Sequence, residues 1–224
     1  MSYSHKLNQL CRSKENLKVG NVLFPAHYDT VHSASTYPFK RVMDVIASFL
    51  GLLILAPFLL CVALLVRATS PGPVLFWSER VGRYGKAFMM PKFRSMKCDT
   101  KLQAREASFG LNEELTPIGS LLRKLSIDEL PQLWSVLNGE MSLVGPRPLL
   151  ASDPTTKLRA DLFPDCFSAR PGITGLAQIK GRNRVSSARK ARYDAFYARR
   201  SSLRLDSFIL VRTVVTLFNF DGIL

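Results

Sequence analysis

Residues 45–66 read VIASFLGLLILAPFLLCVALLV, a stretch without a single charged side chain. As a straight α-helix this stretch is about 33 Å long, at about 1.5 Å per residue. That length is enough to cross the roughly 30 Å hydrocarbon core of a bilayer. The stretch begins too far from the start of the chain, and is too long, for a cleaved signal peptide. A buried helix of a soluble protein is a weak alternative at this length, so the sequence predicts a membrane helix.

Two features of this stretch bear on its topology. Pro57 lies near its middle, where a proline removes a backbone hydrogen bond and kinks a helix. Lys40 and Arg41 precede the stretch, and Arg67 and further cations follow it. Positive residues favour the cytoplasmic side of a membrane. We therefore favour a kinked, re-entrant helix with both ends at the cytoplasmic face, and a helix that spans the bilayer stays open as the alternative.

The predicted fold class is α+β and predominantly helical: a monotopic membrane protein with a re-entrant N-terminal helix, a small β-hairpin and interfacial amphipathic helices. Residues 1–36 are polar and aperiodic, typical of an N-terminal extension without a catalytic role. Residues 37–67 form the membrane helix, and residues 68–224 form a cytoplasmic catalytic domain.

Local patterns place further elements in the domain. Two short apolar runs, 74–77 and 87–90, predict the hairpin. Thr116-Pro117 is typical of an N-cap and first helical position. A second helix is predicted at about 129–138, with Leu130, Leu133, Trp134 and Leu137 inward and Gly139 as terminator. A third is predicted at about 187–199. The apolar stretch 203–220 either packs in the core or lies in the membrane interface.

Composition limits the chemistry. The chain has 31 Lys+Arg against 17 Asp+Glu, a formal net charge of +14, which indicates an anionic partner: nucleic acid, an anionic membrane or phosphorylated substrates. Its four cysteines are widely spaced and fit neither a zinc site nor a disulfide framework, so a reducing cytoplasmic location fits best. All three histidines precede residue 33. Chemistry in the rest of the chain therefore depends on carboxylates, lysine, arginine, tyrosine, serine or an oxygen-bound ion.

The segment 122–148, LRKLSIDELPQLWSVLNGEMSLVGPRP, contains adjacent carboxylates at Asp128 and Glu129. One interpretation is a capping box in which Ser126 caps a helix and Glu129 reaches back. Pro131 would then be the fifth helical residue, where it costs a hydrogen bond. We therefore expect the helix to begin at about Asp128 or Glu129, so that free amides and the helix dipole keep the carboxylates ionised. Helix neighbours do not face each other, so one carboxylate can attack while the other holds a metal ion. The residues alone support the structural and the catalytic interpretation equally.

Basic residues surround this segment in the sequence. Arg147 lies between two prolines, which fix its backbone, and a guanidinium suits phosphate; an ordinary rigid turn is the alternative. Lys92 and Arg94 would share one face of a strand. Segment 79–86 mixes glycines with cations but lacks P-loop spacing. Segments 170–175 and 180–183, the latter with Arg182, suit either a nucleotide diphosphate or a flexible surface loop.

Taken together, the ordered blocks resemble the bacterial sugar transferase family, the monotopic phosphoglycosyl transferases that start lipid-linked glycan assembly. The resemblance covers about residues 39–221. Its blocks are FKRVMDV, ERVGRYGKAF, PKFRSM, the segment 122–148 and RPGITGLAQIKGRN. Members often carry Ser-Pro in the membrane helix, where this chain has Ala56-Pro57. The chain looks like the small catalytic form of the family.

The resemblance implies a two-step transfer. Asp128 attacks the β-phosphate of a UDP-sugar and UMP leaves. Polyprenyl (undecaprenyl) phosphate then attacks the bound phosphosugar, giving a polyprenyl-diphosphate sugar. Glu129, with Asp128, is expected to hold Mg²⁺. Phosphate-binding residues are expected at Lys92, Arg94 and Arg147, with Arg80, Arg123 and Arg182 as further candidates.

The resemblance also implies partners and location. We expect a UDP-sugar, polyprenyl phosphate, anionic membrane lipids and downstream glycosyltransferases, at the cytoplasmic face of the bacterial inner membrane. The alternative from another class is a membrane-tethered basic nucleic-acid-binding protein. The sequence has no recognised nucleic-acid motif, and its basic loops lack regular aromatic residues. We therefore expect no nucleic-acid partner.

Overall fold

The computed structural model describes residues 17–19, 22–24, 36–97, 115–181 and 185–218. Its elements, in chain order, are β1 (Leu17–Val19), β2 (Val22–Phe24), α1 (Lys40–Thr69), β3 (Leu75–Val81), β4 (Ala87–Phe93), α2 (Gly119–Lys124), α3 (Gln132–Asn138), β5 (Ser142–Val144), α4 (Pro154–Leu162), β6 (Gly172–Thr174), α5 (Leu176–Ile179), α6 (Ser187–Arg200) and α7 (Leu203–Phe218). The strands form three two-stranded sheets, of which β1–β2 and β3–β4 are antiparallel and β5–β6 is parallel. The predominantly helical fold with a small hairpin is confirmed. The β1–β2 pair inside the N-terminal extension was not predicted.

Helix α1 is the predicted apolar helix, and it runs through Pro57 without ending there. Within the described residues it is the one helix long and apolar enough to cross a membrane, with a mean hydropathy of 2.9 in its most apolar window. Only 11% of that window is buried inside the protein. The long apolar helix is confirmed, while its kink and its re-entrant course stay predictions.

Polar contacts attach the N-terminal turn of α1 to the domain. Lys40 Nζ lies 2.5 Å from Asp206 Oδ2 on α7, and the Tyr37 hydroxyl donates to the same oxygen at 2.9 Å. One turn further along α1, the Asp44 carboxylate accepts a hydrogen bond from the backbone N–H of Leu143 on β5, at 3.1 Å. The start of the apolar helix is therefore fixed to two elements that are distant in sequence.

The C-terminal end of α1 is attached to the same domain by apolar and polar contacts. Val62 and Val66 are buried in an apolar cluster with residues of β4 and α2. The Arg94 guanidinium donates to the carbonyl oxygens of Ser70 and Pro71, at 2.6 Å each, just beyond the last turn of the helix. Cations are favourable there because the final carbonyls of a helix have no partner within it. Both ends of α1 thus contact one domain.

The predicted hairpin is confirmed, and it extends from the pair Leu75–Phe93 to the pair Val81–Ala87. The segment 79–86, considered as a phosphate cradle, includes the turn of this hairpin. In that turn Arg83 Nε donates to the carbonyl oxygen of Ser168 at 2.7 Å. Tyr84, at a φ of 56°, packs against a buried apolar cluster. These contacts give the turn a structural role.

Helix α2 begins at Gly119, later than the predicted start at Thr116-Pro117. Thr116 instead forms a turn against the end of the hairpin: its N–H donates to the carbonyl oxygen of Ser95 at 3.0 Å. A Cβ on Gly119 would lie 2.0 Å from that same oxygen. The close approach of Ser95, which involves distant sequence, therefore displaces the helix start.

Helix α3 ends at Gly139 as predicted, where a φ of 86° suits glycine. Its predicted start at about Asp128 or Glu129 is wrong, because a separate 3₁₀ turn covers Ile127–Glu129 and α3 begins at Gln132. Trp134, predicted to face inward, is 53% exposed. Helix α1 packs on the face of α3 that carries Leu133, which leaves Trp134 outside the core.

The predicted helix at 187–199 is confirmed as α6, and residues 203–218 of the apolar stretch form α7. Ile209 on α7 is fully buried, so one face of α7 belongs to the core. The other face is exposed and apolar, with Phe208, Val211, Val214 and Val215. The core interpretation is therefore confirmed for one face of α7, and the place of the other face in a membrane interface stays a prediction.

Candidate active site

The two predicted catalytic carboxylates lie in the 3₁₀ turn before α3. Ser126 precedes this turn at a φ of 56° and makes no side-chain capping bond. The Glu129 side chain points to other partners, so no capping box forms. Asp128 is buried, with 7% of its surface exposed. The capping-box interpretation of Ser126 and Glu129 is therefore wrong.

The Glu129 carboxylate contacts two cations. Its Oε1 lies 2.8 Å from Lys92 Nζ and 2.5 Å from Arg147 Nη2, and its Oε2 accepts from Arg147 Nη1 at 3.4 Å. Burial alone would raise the pKa of Glu129, but the attraction of Arg147 and Lys92 outweighs it and holds that pKa well below its usual range. Glu129 is therefore ionised and fixes both cations.

Asp128 is in a different electrostatic state. No hydrogen bond from a described residue ends on its carboxylate. Burial, which is the largest effect, raises its pKa together with the charge of Glu129, whereas Lys92, Arg123 and Arg147 lower it; the net pKa is about 6. At neutral pH the carboxylate is still mostly ionised. Neighbouring cations, and not the expected start of a helix, keep it so.

A cavity of about 150 Å³ is lined by Glu129, whereas its neighbour Asp128 is not among the lining residues. Five predicted site residues line it: Arg80, Lys92, Arg94, Glu129 and Arg147. Apolar side chains also line the cavity, among them Phe76, Leu149 and Leu150. The Arg147 side chain is 42% exposed, so its guanidinium can meet a ligand in the cavity while it bonds Glu129. The arrangement suits an anionic ligand with a less polar portion.

Arg94 follows the last residue of strand β4, but its N–H still donates to the carbonyl oxygen of Val74 at 2.9 Å. Lys92 and Arg94 line the same cavity, as expected for two side chains that share one face. The Arg94 side chain is buried, and two of its nitrogens donate to the carbonyl oxygens of Ser70 and Pro71. It lines the cavity, but these bonds also connect the cavity wall to the end of α1.

The remaining predicted phosphate-binding residues are Arg80, Arg123 and Arg182. Arg123 Nε donates to Ser95 Oγ at 2.9 Å, and Arg123 is outside the cavity lining. Its positive charge nevertheless lowers the pKa of Asp128. Arg80 lines the cavity, with its Nε donating to Ser78 Oγ at 3.0 Å. Arg182 lies outside the described residues.

The loop that presents Arg147 packs tightly against the glycine-rich segment 170–175. The Gly145 N–H donates to the carbonyl oxygen of Thr174, and the Gly172 N–H donates to that of Pro146, both at 2.9 Å. A Cβ on Gly145 would lie 2.2 Å from the carbonyl oxygen of Arg170. The glycines of this segment therefore allow two backbones to approach closely, a packing role that accounts for them without a nucleotide.

This close approach makes Gly145→Ala a strongly destabilising substitution. The added methyl group meets backbone atoms, which cannot rotate away, and we expect a loss of about 3 kcal/mol in the free energy of unfolding. Thermal unfolding of the detergent-solubilised protein measures it. Gly51→Ala is the control, since its Cβ would lie 3.4 Å from a flexible Leu133 methyl group. Equal melting temperatures for the two variants would contradict the packing role.

Two further residues of the cavity wall, Gln132 and Asp153, were not among the predicted site residues. Asp153 caps α4, its Oδ1 accepting from the Thr155 N–H at 2.7 Å. The pair Asp153-Pro154 is a recognisable helix-start signature. This signature predicts a helix cap but no ligand contact. The position of Asp153 in the cavity wall follows only from the tertiary fold.

The donor set for a divalent ion is small. Within the described residues no three His, Cys, Asp or Glu side chains cluster. Both Glu129 oxygens already accept hydrogen bonds, Oε2 only at 3.4 Å, whereas the Asp128 carboxylate accepts none from a described residue. Mg²⁺ is commonly held by one or two carboxylates with substrate phosphates and water. The residues therefore fit Mg²⁺ only as an ion shared with a phosphorylated substrate.

Comparisons with known proteins agree on one family. The family model described as "Bacterial sugar transferase" matches residues 35–220. The chain is 42% identical over 187 residues to the exopolysaccharide production protein PSS of Rhizobium leguminosarum bv. phaseoli, covering 79% of this chain and 94% of that protein.

Two further relatives carry names that state an activity. One is the UDP-glucose:undecaprenyl-phosphate glucose-1-phosphate transferase of Caulobacter vibrioides, 41% identical over 196 residues, covering 82% of this chain and 71% of that protein. The other is the undecaprenyl-phosphate galactose phosphotransferase of Salmonella typhimurium, 35% identical over 199 residues, covering 82% of this chain and 41% of that protein. The chain thus spans most of some relatives and under half of others.

Proposed function

Because the chain belongs to the bacterial sugar transferase family, we propose that it transfers a sugar-1-phosphate from a UDP-sugar to polyprenyl phosphate through a covalent intermediate on Asp128. The observation that carries this proposal is the asymmetry of the two carboxylates. The Glu129 carboxylate is held by Lys92 and Arg147, whereas Asp128 is ionised at neutral pH and accepts no hydrogen bond from a described residue. An ionised carboxylate with open lone pairs beside cations suits nucleophilic attack on phosphorus.

The reaction has two steps that balance. In the first, an Asp128 oxygen forms a bond to the β-phosphorus of the UDP-sugar while the bond from that phosphorus to the bridging oxygen breaks, releasing UMP. In the second, a phosphate oxygen of the polyprenyl phosphate attacks the same phosphorus and Asp128 leaves as a carboxylate. Lys92 and Arg147 stabilise the negative charge that develops on the transferred phosphoryl group. A bound Mg²⁺ would offset charge on the diphosphate, and Asp128 and Glu129 are the carboxylates that would hold it beside the substrate phosphates.

A re-entrant course of α1 at the cytoplasmic face of the inner membrane belongs to the same proposal. The two ends of α1 both contact the catalytic domain, through Asp206 at one end and Arg94 at the other. A helix that crossed the bilayer would carry one end away from a domain on the other side. The exposed apolar face of α7 provides a second surface for the membrane interface, where anionic lipids meet the strongly positive chain. Downstream glycosyltransferases would take up the lipid product there.

This topology predicts same-side labelling of the two ends of α1. In a cysteine-free variant, Thr36→Cys and Ala68→Cys each place one thiol at an exposed site beside one end of the helix. We expect both to react with a membrane-impermeant maleimide in inside-out vesicles, and neither to react in intact spheroplasts. Reaction of one thiol in each preparation would show a spanning helix.

The proposed activity is tested by UMP release from the detergent-solubilised protein. A panel of UDP-sugars is supplied with and without undecaprenyl phosphate, and we expect sustained release only with the acceptor present. Donor labelled in the β-phosphate, without acceptor, is expected to leave an acid-stable, hydroxylamine-sensitive label on Asp128. Absence of that adduct with a donor that turns over would refute the covalent mechanism. Salt-sensitive retention of DNA without UMP release would favour the nucleic-acid alternative.

A further inference from the structure

A buried ion pair contacts the backbone of Arg147. Arg159 on α4 donates from Nη1 to the carbonyl oxygen of Arg147 at 2.9 Å, and from Nη2 to Asp194 Oδ2 on α6. The side chains of Arg159 and Asp194 are 5% and 1% exposed. One guanidinium thus connects two helices to the loop that carries a cation of the active site.

This pair is expensive to bury. Removing two charges from water costs several kcal/mol per ion, and apolar replacements of a buried pair are often as stable or more stable. Fold stability alone therefore gives a weak reason for an ion pair at this place. The planar guanidinium has one property that an apolar side chain lacks: it donates to two acceptors in fixed directions. Here one acceptor is Asp194 and the other is the Arg147 carbonyl oxygen.

The loop around Arg147 is suited to transmit such a contact. Pro146 and Pro148 flank it, so its backbone has little freedom of its own. The Gly172 N–H holds the carbonyl oxygen of Pro146 at 2.9 Å, and Arg159 holds the next carbonyl oxygen along the chain. A shift of this backbone would move the Arg147 guanidinium relative to Glu129.

We propose that Arg159, held by Asp194, is a positioning residue that fixes the Arg147 guanidinium in the cavity for contact with the transferred phosphoryl group. This inference rests on the proposed function, in which Arg147 contacts phosphate. Arg159 itself is buried and is not among the residues that line the cavity. Its effect on the reaction therefore passes through Arg147.

A double-mutant cycle on kcat/KM for the UDP-sugar tests the inference. Arg159→Met is expected to lower kcat/KM by about ten- to a hundredfold, since an active-site group displaced by about 1 Å can cost a hundredfold. Arg147→Met is expected to lower it at least as much. If Arg159 acts through Arg147, the double variant loses no more than Arg147→Met alone. A double variant whose loss equals the product of the two single losses overturns the proposal.

A general loss of stability is separated from positioning in two ways. All variants are assayed well below their melting temperatures, with the folded fraction measured by near-ultraviolet circular dichroism. Asp194→Asn serves if Arg159→Met does not fold, because it weakens the support of Arg159 and leaves the bond to Arg147. Combined with Arg147→Met, Asp194→Asn is expected to lower kcat/KM no further than Arg147→Met alone. A double variant whose loss in kcat/KM equals the product of the two single losses counts against the proposal.

The chain offers a matched control in a second ion pair on α6. Arg199 contacts Asp165, but the Arg199 side chain is 63% exposed. Arg199→Met is expected to leave kcat/KM unchanged. Combined with Arg147→Met, it is expected to give the same kcat/KM as Arg147→Met alone.

The outcomes distinguish the inference from the function on which it rests. Full activity of Arg147→Met would remove Arg147 from the proposed mechanism. Reduced activity of Arg147→Met, combined with full activity of Arg159→Met, would leave the proposed function intact and refute only the positioning role.

Discussion

Asp128→Asn is expected to lower kcat by at least about 10⁴-fold, because an amide cannot form the covalent bond to phosphorus and removal of a nucleophile typically costs that much or more. The substitution keeps the size and shape of the side chain at a buried position. UMP release and the labelled adduct are both measured, and both should be lost. Asp153→Asn is the control: it alters a carboxylate of the cavity wall that plays no part in the proposed chemistry. Retained turnover in Asp128→Asn would remove the nucleophile assignment.

The same variant is expected to melt at an equal or higher temperature. The pKa of Asp128 is about 6 in the folded protein, above its ordinary value of 3.8. A raised carboxyl pKa means that the protonated form contributes stability below pH 3.8, and that this contribution is lost as the pH rises through 6. At pH 7.5 the ionised side chain therefore costs roughly 3 kcal/mol relative to its neutral form. Neutral asparagine avoids that cost, so the difference in melting temperature should shrink at pH 5. A lower melting temperature for the variant at pH 7.5 would contradict this account.

Elements with one dominant local signal were predictable from the sequence. The long apolar helix, the hairpin, α6 and the stop at Gly139 follow from hydropathy, alternation or a backbone angle that one residue type favours. The start of α3 was not predictable, because Pro131 fits several positions near a helix start. The observed start follows a 3₁₀ turn that Ser126 precedes in a left-handed conformation, and no local sequence signal indicates that conformation. The inward position predicted for Trp134 failed because α1 covers a different face of α3.

The candidate site was predictable as a set of residues but not as a division of roles. The sequence indicated Asp128 and Glu129 together with Lys92 and Arg147, and the structure brings Glu129, Lys92 and Arg147 into direct contact. Adjacent carboxylates look alike in a sequence. Only the tertiary fold shows that Glu129 contacts two cations, and that Asp128 is buried without a hydrogen-bond partner among the described residues. The contact of Arg159 with the loop was likewise not predictable, because it depends on how α4 and α6 pack beside Arg147.

Glu129→Gln is expected to have the opposite effect on stability from Asp128→Asn. The pKa of Glu129 lies well below its usual range, so its contribution to stability is present above the unfolded pKa and is lost only as the pH falls through the folded pKa. Glutamine removes the charge at every pH and leaves Lys92 and Arg147 without the anion that they contact directly. Breaking a buried pair costs about 3–5 kcal/mol, and we expect the lower end because Arg147 is partly exposed.

The same substitution should lower kcat/KM by about 10²- to 10³-fold, the usual effect of losing one preorganised charge contact in an active site. Thermal unfolding and UMP release measure the two effects, with Glu79→Gln, an exposed carboxylate on β3, as the control that changes neither. Unchanged stability and turnover in Glu129→Gln would show that the cations hold their places without it. Opposite shifts in melting temperature for two neighbouring carboxylates are hard to explain by general damage to the site. They follow directly if the fold uses Glu129 to fix its cations and keeps Asp128 ionised at a cost in stability for the sake of its reaction with phosphorus.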